Sequence, residues 1–372
     1  MTRRSHPDVV VVGGGIVGAA CAWYLADEGL DVLVLDAGFP GGGATGAGMG
    51  HLVVMDETEA QFALTSYSLD LWTELAPELS ADCQDEPRST LWIAADEEEL
   101  ALIEAKATFY RHRGVAAEVL SSAELAGEES ELRPGLAGAL HVPGDRVIYP
   151  PAAACWLLER AVEKGTAVQT ACPVEEIGSH WVRTASGEKI SCDLVINAAG
   201  PEAPRLTPGL PVEPRKGHLA ITERYPDFCR HQLVELGYLK SAHTKAAESV
   251  AFNIQPRATG QQLIGSSREL VGWDLAINRR LLGAMLRRAF DYLPRLADLQ
   301  VIRVWTGFRP ATPDGLPLIG PWPRIDGLWI AAGHEGLGIT MALGTGRLLA
   351  ERIVGRQPSL DPAPYEPARL ES

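Results

Sequence analysis

The chain opens with a run of valines that leads directly into a glycine-rich turn. Val9-Val10-Val11-Val12 precedes Gly13-Gly14-Gly15-Ile16-Val17-Gly18, which has the spacing GxGxxG, and a helical segment follows. In such a unit the first glycine permits a tight turn, the second lets a pyrophosphate approach the backbone, and the third lets helix and strand pack closely. The free N–H groups at the start of the helix then hold the phosphates. We therefore predict a dinucleotide site that includes Gly13, Gly15, Ile16, Val17 and Gly18.

An acidic residue at the end of the next strand makes this motif specific. The predicted strand 31–35 is followed by Asp36. Asp36 is near the distance of about 20 residues after the glycine turn at which an acid accepts hydrogen bonds from ribose hydroxyls. A lone GxGxxG is weak support for a nucleotide site, but here the strand, helix, second strand and acid occur in register. Asp36 is therefore predicted to contact the ribose, and Ala37 is predicted to belong to the same cofactor site.

Composition excludes several classes of function. The 372 residues carry a formal charge of −15, which argues against a nucleic-acid or anionic-membrane partner. The six cysteines have no CxxC spacing, so we expect no zinc or iron–sulfur site and no disulfide framework. No apolar run is long enough for a membrane span, and the first is too short for a signal peptide. These features are typical of a cytoplasmic enzyme without a metal.

The order of the elements predicts an α/β fold with a discontinuous Rossmann-like domain. A dinucleotide-binding half comes first, an antiparallel section with hairpin signals follows at about 214–270, and an α/β pattern resumes near the C-terminus. Six glycines in residues 41–50 predict an irregular loop. The expected dinucleotide-binding domain comprises residues 1–76, 147–213 and 303–372. The expected substrate domain, built on a mainly antiparallel sheet, comprises residues 77–146 and 214–302.

The C-terminal third carries a resemblance to a known family. Its two blocks read Trp305-Thr306-Gly307-Phe308-Arg309-Pro310 and Gly333-His334-Glu335-Gly336-Leu337-Gly338-Ile339-Thr340. With the N-terminal fingerprint and the strand end Ala198-Ala199-Gly200, they resemble the FAD-dependent amine and D-amino-acid oxidoreductases, which include glycine oxidase, sarcosine oxidase and D-amino-acid dehydrogenase. The resemblance spans nearly the whole chain, and it implies FAD as the cofactor.

The resemblance also implies which further residues contact FAD. The loop after the first unit would lie over the flavin ring, one residue would offer its backbone to adenine, and the start of the last helix would meet the flavin pyrimidine. Because reduced flavin carries negative charge there, a helix N-terminus favours electron uptake. The additional residues are Ala44, Thr45, Gly48, Met49, Gly50, Val174, Ala198, Ala199, Gly200, Gly307, Gly336, Leu337, Gly338, Ile339 and Thr340. The sarcosine-oxidase branch tethers its flavin to a cysteine where this chain has Ala311 and Thr312, so we expect non-covalent FAD.

Three residues are candidates for substrate chemistry. In the family, the arginine that matches Arg309 binds the substrate carboxylate, although an ion pair with Asp314 is an alternative role. His51 could face the flavin or the substrate amine, whereas His334 is expected to brace a turn. Phe252 and Asn253 alternate on a predicted strand, and we select Asn253 as the residue that faces the substrate.

The resemblance favours oxidation of the Cα–N bond of an amino or imino acid, with a D-amino acid or a proline-like compound as substrate. The last block is most similar to D-amino-acid dehydrogenases, and residues 49–56 are similar to the FAD-carrying subunit of D-hydroxyproline dehydrogenases. Glycine oxidase has an arginine where this chain has Gly336. A dehydrogenase is therefore the first hypothesis. An oxygen-using oxidase is the second, and a subunit that passes electrons to partner flavin or iron–sulfur chains is the third. A NAD enzyme would not explain the C-terminal block.

Overall fold

The nucleotide-binding half is built on a six-stranded sheet. In the computed structural model, which describes residues 6–237 and 248–370, the strand order is β18-β19-β12-β1-β2-β8. The five strands from β19 to β8 pair in parallel, and β18 pairs antiparallel with β19. The strands are β1 Val9–Val12, β2 Val32–Leu35, β8 Ala167–Gln169, β12 Leu194–Asn197, β18 Leu318–Pro321 and β19 Leu328–Ala332.

The continuous valine run is explained by burial of this sheet on both faces. Val9 and Val11 point into a core formed with the helices on one side, while Val10 and Val12 point into a second core. That second face is covered by a small sheet and a short helix. Parallel strands buried on both faces are uniformly apolar, as observed here. The covering elements are β9 Val174–Gly178, β10 Trp181–Thr184, β11 Lys189–Ser191 and α7 Ala203–Leu206.

Helices cover the other face, and two of them cross in close contact. A Cβ atom on Gly346 would lie only 2.7 Å from the carbonyl carbon of Ala20, so glycine is needed where the helix Gly338–Ile353 crosses the helix Ile16–Asp27. This crossing places the first turns of both helices at the same end of the sheet. The helices of this layer are α1 Ile16–Asp27, α3 Glu59–Leu75, α6 Pro150–Glu163 and α9 Gly338–Ile353.

The second half is an eight-stranded sheet in the order β17-β13-β16-β15-β14-β4-β6-β5. All neighbours pair antiparallel except β14 and β4. One face packs against α8, and the other face looks towards the nucleotide half. The elements are β4 Thr90–Ala94, β5 Glu118–Ser121, β6 Gly138–Val142, β13 Glu213–Arg224, β14 Gln232–Glu235, β15 Glu248–Pro256, β16 Gln261–Glu269, β17 Val301–Ala311 and α8 Arg279–Tyr292.

Short elements connect the two halves. A two-stranded ribbon pairs β3 with β7 between the sheets. These elements and the helices of the second half are α2 Ala44–Ala47, β3 His51–Leu52, α4 Glu97–His112, α5 Ser122–Glu128 and β7 Arg146–Val147. Within the described ranges, no helix is both long and apolar enough to cross a membrane.

The predicted α/β class, with a Rossmann-type domain and a mainly antiparallel second sheet, is confirmed. The expectation of an irregular loop over residues 41–50 was wrong in one respect, because Ala44–Ala47 forms one helical turn. The domain boundaries stay a prediction. The predicted nucleotide domain includes residues 303–372, but the strand Val301–Ala311 pairs with Glu213–Arg224 in the second sheet.

Candidate active site

The glycine turn after β1 brings the start of α1 against the sheet. Gly13 has φ +109°, a conformation that disfavours residues with a side chain. A Cβ on Gly18 would overlap the carbonyl oxygen of Gly13 and would lie 3.3 Å from the Cβ of Ala198. Gly15 is the N-cap of α1, and no side chain caps the helix there. The first turn of α1 therefore presents its backbone N–H groups at the carboxyl end of the sheet.

Asp36 fixes this turn to the end of β2. Its Oδ2 accepts the N–H of Gly14 at 2.7 Å, and its Oδ1 accepts the N–H of Gly38 at 2.8 Å. Each carboxylate oxygen has more than one lone pair, so the same group can also accept a ribose hydroxyl. The backbone N–H of Cys172 bonds the Asp36 carbonyl at 2.8 Å. This contact brings the strand that starts at Val174 to the edge predicted for adenine.

The glycine-rich loop joins the first turns of α1 and α9. Thr45 Oγ1 accepts the N–H of Ile16 at 3.0 Å. A Cβ on Gly48 would lie 2.9 Å from the Ile339 Cδ1 atom, so the loop lies directly on the start of α9. A Cβ on Gly43 would meet no atom within 4 Å among the described residues, which shows open space beside this loop. The loop therefore bridges the first turns of the two helices. We call the space along this loop the cleft.

The start of α9 is the second helix terminus at this cleft. Leu337 occupies the N-cap position and provides no side-chain cap. The Thr340 hydroxyl donates to the carbonyl oxygen of His51 at 3.0 Å and ties α9 to β3. The N-cap residues of α1 and α9 supply no side-chain cap, although Thr45 already accepts the Ile16 N–H. The two N-termini suit a ligand with negative charge at two separated points. Reduced FAD carries such charges on its diphosphate and on its flavin pyrimidine, so these residues fit FAD.

β17 contributes the face opposite this loop. Every second residue of a strand faces the same side, so one side of β17 carries Trp305, Gly307 and Arg309. Trp305 Nε1 donates to the carbonyl oxygen of Ala47 at 3.2 Å, and a Cβ on Gly307 would overlap the Ala47 side chain. The missing side chain at Gly307 therefore lets the sheet approach the loop.

Arg309 lies in a position that a glycine on the neighbouring strand creates. Its Nη1 donates to the Ser267 carbonyl at 3.0 Å. A Cβ on Gly217, on the neighbouring strand, would overlap the Arg309 guanidinium, and a Cβ on Gly336 would lie 3.6 Å from its Nε. Arg309 is thus held between β13 and the segment that leads into α9. Asp314, the alternative partner considered from sequence, forms an ion pair with Arg369 at 2.8 Å.

Two further arginines share this end of the sheet. Arg215 lies directly opposite Arg309 in the β13–β17 pair, and Arg268 is on the adjacent strand. Glu335 Oε1 lies 3.5 Å from Arg215 Nη1 and 3.4 Å from Arg268 Nε. Burial alone would raise the pKa of the Glu335 carboxyl, but the charges of the three arginines outweigh it and hold the pKa below its ordinary value. Glu335 is therefore an anion at the working pH.

His51 is enclosed by side-chain amides at the other end of the cleft. Burial lowers its pKa, and the charge of Arg257 lowers it further, so the ring is neutral near pH 7. Gln232 donates its own NH₂ to the Arg146 carbonyl at 3.1 Å, so its oxygen faces His51 Nδ1. Nδ1 therefore carries the proton and Nε2 is an acceptor. The Asn253 Oδ1 atom lies 3.0 Å from Nε2. With the proton on Nδ1, the amide must turn so that its NH₂ faces the ring.

The neighbouring residue on β15 points the other way. Phe252 stacks on Tyr292 of α8, with ring centroids 4.6 Å apart and planes at 6°. Asn253 thus faces the nucleotide half, which sequence periodicity alone did not decide. His334 is buried and contacts Thr345 Oγ1 at 2.9 Å, and burial lowers its pKa to about 3. It braces the turn before α9, as expected from sequence.

Several residues at this site were not identified from sequence. Buried Arg257 donates to the carbonyl oxygen of Ile148 at 3.0 Å and to that of Met49 at 3.3 Å, and so holds the loop. The close approach at Gly217 could have been predicted from sequence, because an isolated glycine in a strand often marks a close approach of another group. Gln232 and Glu335 left no such signal.

A buried carboxyl lies beneath the segment that follows His51. Asp145 is fully buried, and its Oδ1 accepts the Val54 N–H at 3.2 Å. Burial raises the pKa of Asp145 to about 7, although hydrogen bonds from Thr90 and Val54 and the charge of Lys106 oppose the shift. The amino group of Lys106 is itself paired with Asp56. Asp145 is thus protonated in the folded protein under mildly acidic conditions.

Replacing Asp145 with asparagine should remove a pH dependence of stability. In the unfolded chain the carboxyl loses its proton near 3.8, and in the folded protein near 7. The folded state therefore holds more protons between these values, and its stability falls as the pH rises through this window. We expect Asp145→Asn to stabilise the protein relative to wild type by a few kcal/mol, as an order of magnitude, more at pH 8 than at pH 4. Urea unfolding at both pH values measures this. Exposed Asp298→Asn is the control, and equal effects of Asp145→Asn at both pH values would contradict the assignment.

Comparison with known proteins places this site in context. The family described as "DAO: FAD dependent oxidoreductase" matches residues 8–352. The chain is 31% identical to glycine oxidase of Pseudomonas aeruginosa, over 97% of this chain and 98% of that protein. It is 28% identical to D-amino acid dehydrogenase of Xanthobacter autotrophicus, over 97% and 98% of the two chains. The crystal structure of glycine oxidase from Geobacillus kaustophilus superposes with a TM-score of 0.88 at 27% identity, covering 99% of this chain and all of that one.

Proposed function

The chain belongs to the DAO family of FAD-dependent oxidoreductases, and from this premise we propose that it oxidises the Cα–N bond of a D-amino acid or a proline-like imino acid to an imine, as a dehydrogenase. The relatives named above are a glycine oxidase and a D-amino acid dehydrogenase, so FAD-dependent oxidation of an amino acid is the shared part of this function. The stereochemistry, the cyclic class of substrate and the electron acceptor are the proposed part.

The position of Arg309 is the observation that carries the proposal. Its guanidinium lies across from the start of α9, between Gly217 and Gly336. A guanidinium matches a carboxylate in bidentate geometry, so it can hold the substrate's α-carboxylate. Fixing the carboxylate also fixes the adjacent α-carbon, and orientation of this kind can supply a large part of the rate enhancement.

FAD, when bound, supplies the chemistry by accepting the α-hydrogen as hydride at the flavin N5 atom. The protein's own contribution is to orient the substrate and to exclude water. The start of α9 favours negative charge at its end of the cleft by about 0.3–1 kcal/mol. An apolar cluster of Met49, Leu219 and Leu263 keeps the sheet side of the loop dry.

Asn253 and His51 have different roles in this proposal. Because both ring nitrogens of His51 contact amides, the ring is poorly placed to transfer a proton, and we assign it to positioning Asn253. With its NH₂ on the ring, Asn253 directs its carbonyl oxygen away from His51, where it can accept a hydrogen bond from the substrate amine. A neutral amine needs no strong base for hydride loss, so we assign no residue to the role of base.

The experiment that tests this function follows the yellow colour of the purified protein under nitrogen. D-amino acids, sarcosine, glycine, proline and the hydroxyproline isomers are added singly, and we expect bleaching by D-amino or cyclic compounds. Admission of air then shows whether the electron acceptor is dioxygen or another compound. Rapid return of colour with one peroxide per turnover would indicate an oxidase, while slow return that a redox dye accelerates supports a dehydrogenase. Bleaching without dye-linked turnover would indicate a subunit that needs partner chains. Failure of every amine to bleach the flavin contradicts the proposal.

We also predict that FAD is held without a covalent bond. Ala311 and Thr312 have no thiol where the covalent branch has its cysteine, and the Thr312 hydroxyl donates to the Leu316 carbonyl at 2.8 Å. Acid precipitation should therefore leave a colourless pellet and a yellow supernatant. A yellow pellet after washing in denaturant would contradict this prediction.

A further inference from the structure

Arg257 is a buried cation that has no carboxylate at ion-pair distance. The residue is 8% exposed, and within residues 6–237 and 248–370 no acidic oxygen lies within 4 Å of its guanidinium. Residues 238–247, which lie between these ranges in sequence, include no aspartate or glutamate. Burial of a charge is costly unless the charge is paired. An anionic partner for Arg257 is therefore strongly favoured.

The acidic side chains in this region are paired with other arginines. The charge of Glu86 acts on Arg257 from a distance, but Glu86 accepts a hydrogen bond from Arg88 Nε at 2.7 Å. Asp85, the residue before it, accepts two hydrogen bonds from Arg146, of which the bond from Nε measures 2.9 Å. Each of these pairs is neutral as a whole, so they leave the positive charge of Arg257 in place.

Neutral groups hold the guanidinium in a fixed position. Its Nη1 donates to the carbonyl oxygen of Ile148 at 3.0 Å and to that of Met49 at 3.3 Å. Its Nη2 donates to Gln84 Oε1 at 2.9 Å. The guanidinium also lies over the Tyr149 ring, 5.3 Å from the ring centroid. These contacts satisfy the donors of Arg257 without neutralising its charge.

The charge of Arg257 acts at the cleft. Burial lowers the pKa of His51, and the charge of Arg257 lowers it further. A Cβ on Gly50 would overlap the Ile148 carbonyl oxygen, so the loop lies directly on the backbone that Arg257 holds. Met49 and Gly50 belong to the segment that the family resemblance places over the flavin ring. The fixed charge of Arg257 is therefore next to the flavin end of the cleft.

We propose that the buried charge of Arg257 favours the reduced form of FAD and so makes electron uptake by the flavin easier. The inference rests on FAD binding and does not depend on which amine is oxidised. Uptake of two electrons and one proton leaves the reduced flavin with one additional negative charge near neutral pH. A fixed positive charge lowers the free energy of that form relative to the oxidised form, on the order of tenfold in the equilibrium at a partly buried site.

A purely structural role makes a different prediction. If Arg257 only held the loop through its hydrogen bonds, Arg257→Lys and Arg257→Gln would both weaken FAD binding. The flavin that remained bound would then have the wild-type affinity for electrons. If the charge is what matters, Arg257→Lys keeps that affinity and Arg257→Gln lowers it.

A second variant neutralises Arg257 without removing it. Gln84→Glu places a carboxylate at the position that accepts the Arg257 Nη2 hydrogen bond. Its matched control is Gln357→Glu, which adds the same charge at an exposed position. Arg280→Gln, at an exposed arginine paired with Glu248, controls for the loss of an arginine.

The experiment reduces each FAD-loaded protein slowly under nitrogen, with a dye of known potential and without any amine. At a fixed ratio of reduced to oxidised dye, the ratio of reduced to oxidised flavin is measured by absorbance. This ratio should fall about tenfold in Arg257→Gln and less than about threefold in Arg257→Lys. Gln84→Glu should lower it about three- to tenfold. Gln357→Glu and Arg280→Gln should leave it unchanged.

Sulfite binding gives a second readout. The sulfur atom of sulfite forms a bond to flavin N5 and the electron pair moves into the flavin ring, so the adduct has the added negative charge without net electron uptake from a donor. The dissociation constant of sulfite should rise about tenfold in Arg257→Gln and less in Arg257→Lys.

Two results would overturn the inference and leave amine oxidation untouched. One is a wild-type flavin ratio and wild-type sulfite affinity in Arg257→Gln, and the other is an equal loss in Arg257→Lys. Should Arg257→Gln fail to hold FAD, Gln84→Glu decides the question, and a wild-type ratio in that variant would also overturn the inference. Failure of every amine to bleach the flavin contradicts the proposed function but does not change these measurements.

Discussion

Replacement of Arg309 by methionine is expected to lower kcat/KM for the substrate about 100- to 1,000-fold. Loss of one partner from a desolvated, hydrogen-bonded charge pair costs about 2–5 kcal/mol, and each 1.4 kcal/mol corresponds to a factor of ten. Most of the change should appear in KM, because the guanidinium holds the carboxylate both before and during the reaction. Steady-state kinetics with a redox dye, together with the FAD-to-protein ratio, measures the effect.

The controls separate substrate binding from structural damage. Arg309→Met should retain its FAD, because Arg309 contacts Ser267 and two glycines rather than the fingerprint at α1. Arg309→Lys should recover part of the loss, since it keeps the charge but not the bidentate geometry. Arg303→Met, on the same strand at an exposed position, should behave as wild type. Wild-type kinetics for Arg309→Met would exclude Arg309 from carboxylate binding.

Replacement of Gly18 by alanine should weaken FAD binding by about two orders of magnitude. The added Cβ would overlap the Gly13 carbonyl oxygen, so α1 must move away from β1 and its first turn leaves the phosphate position. Overpacking of this kind costs about 1–3 kcal/mol, and at its upper end that corresponds to a factor of about 100. Titration of the apoprotein with FAD, followed by flavin fluorescence, gives the dissociation constant.

Gly127→Ala is the matched control for this substitution. Gly127 is in α5, and an added Cβ would meet no atom within 4 Å among the described residues. Alanine is also the better helix former, so stability should be unchanged or slightly higher. Equal FAD affinity in Gly18→Ala and Gly127→Ala would mean that the glycine turn does not hold the cofactor.

Local sequence patterns predicted much of the fold. The sequence predicts strands over 90–94 and 328–332 and a helix over 97–112. The structure has these limits, because each element is bounded by its own turn or capping residues. The helical turn Ala44–Ala47 was missed, since its support comes from Thr45 binding the start of α1 and not from propensity. Glycine density indicated only that the backbone there must approach another group closely.

Half of the candidate site could not be predicted in this way. The nearness of Arg215 to Arg309 depends on the register of two strands that are far apart in sequence. The contact of His51 with Asn253 joins residues 202 positions apart. The role of Arg309 could be predicted because this residue occurs within a family motif. The contacts of Arg268 and Glu335 could not be predicted, because they form only when three separate segments meet.

The most direct test of the account uses one amino acid in two isotopic forms. The anaerobic rate of flavin bleaching is measured with a substrate that carries hydrogen or deuterium at the α-carbon. If the α-hydrogen leaves as hydride from a substrate held by Arg309, the deuterated form should bleach the flavin severalfold more slowly, to the same final extent. Bleaching at equal rates would show that this bond does not break in the measured step. No bleaching by any carboxylate-bearing amine would contradict amine oxidation at this site altogether.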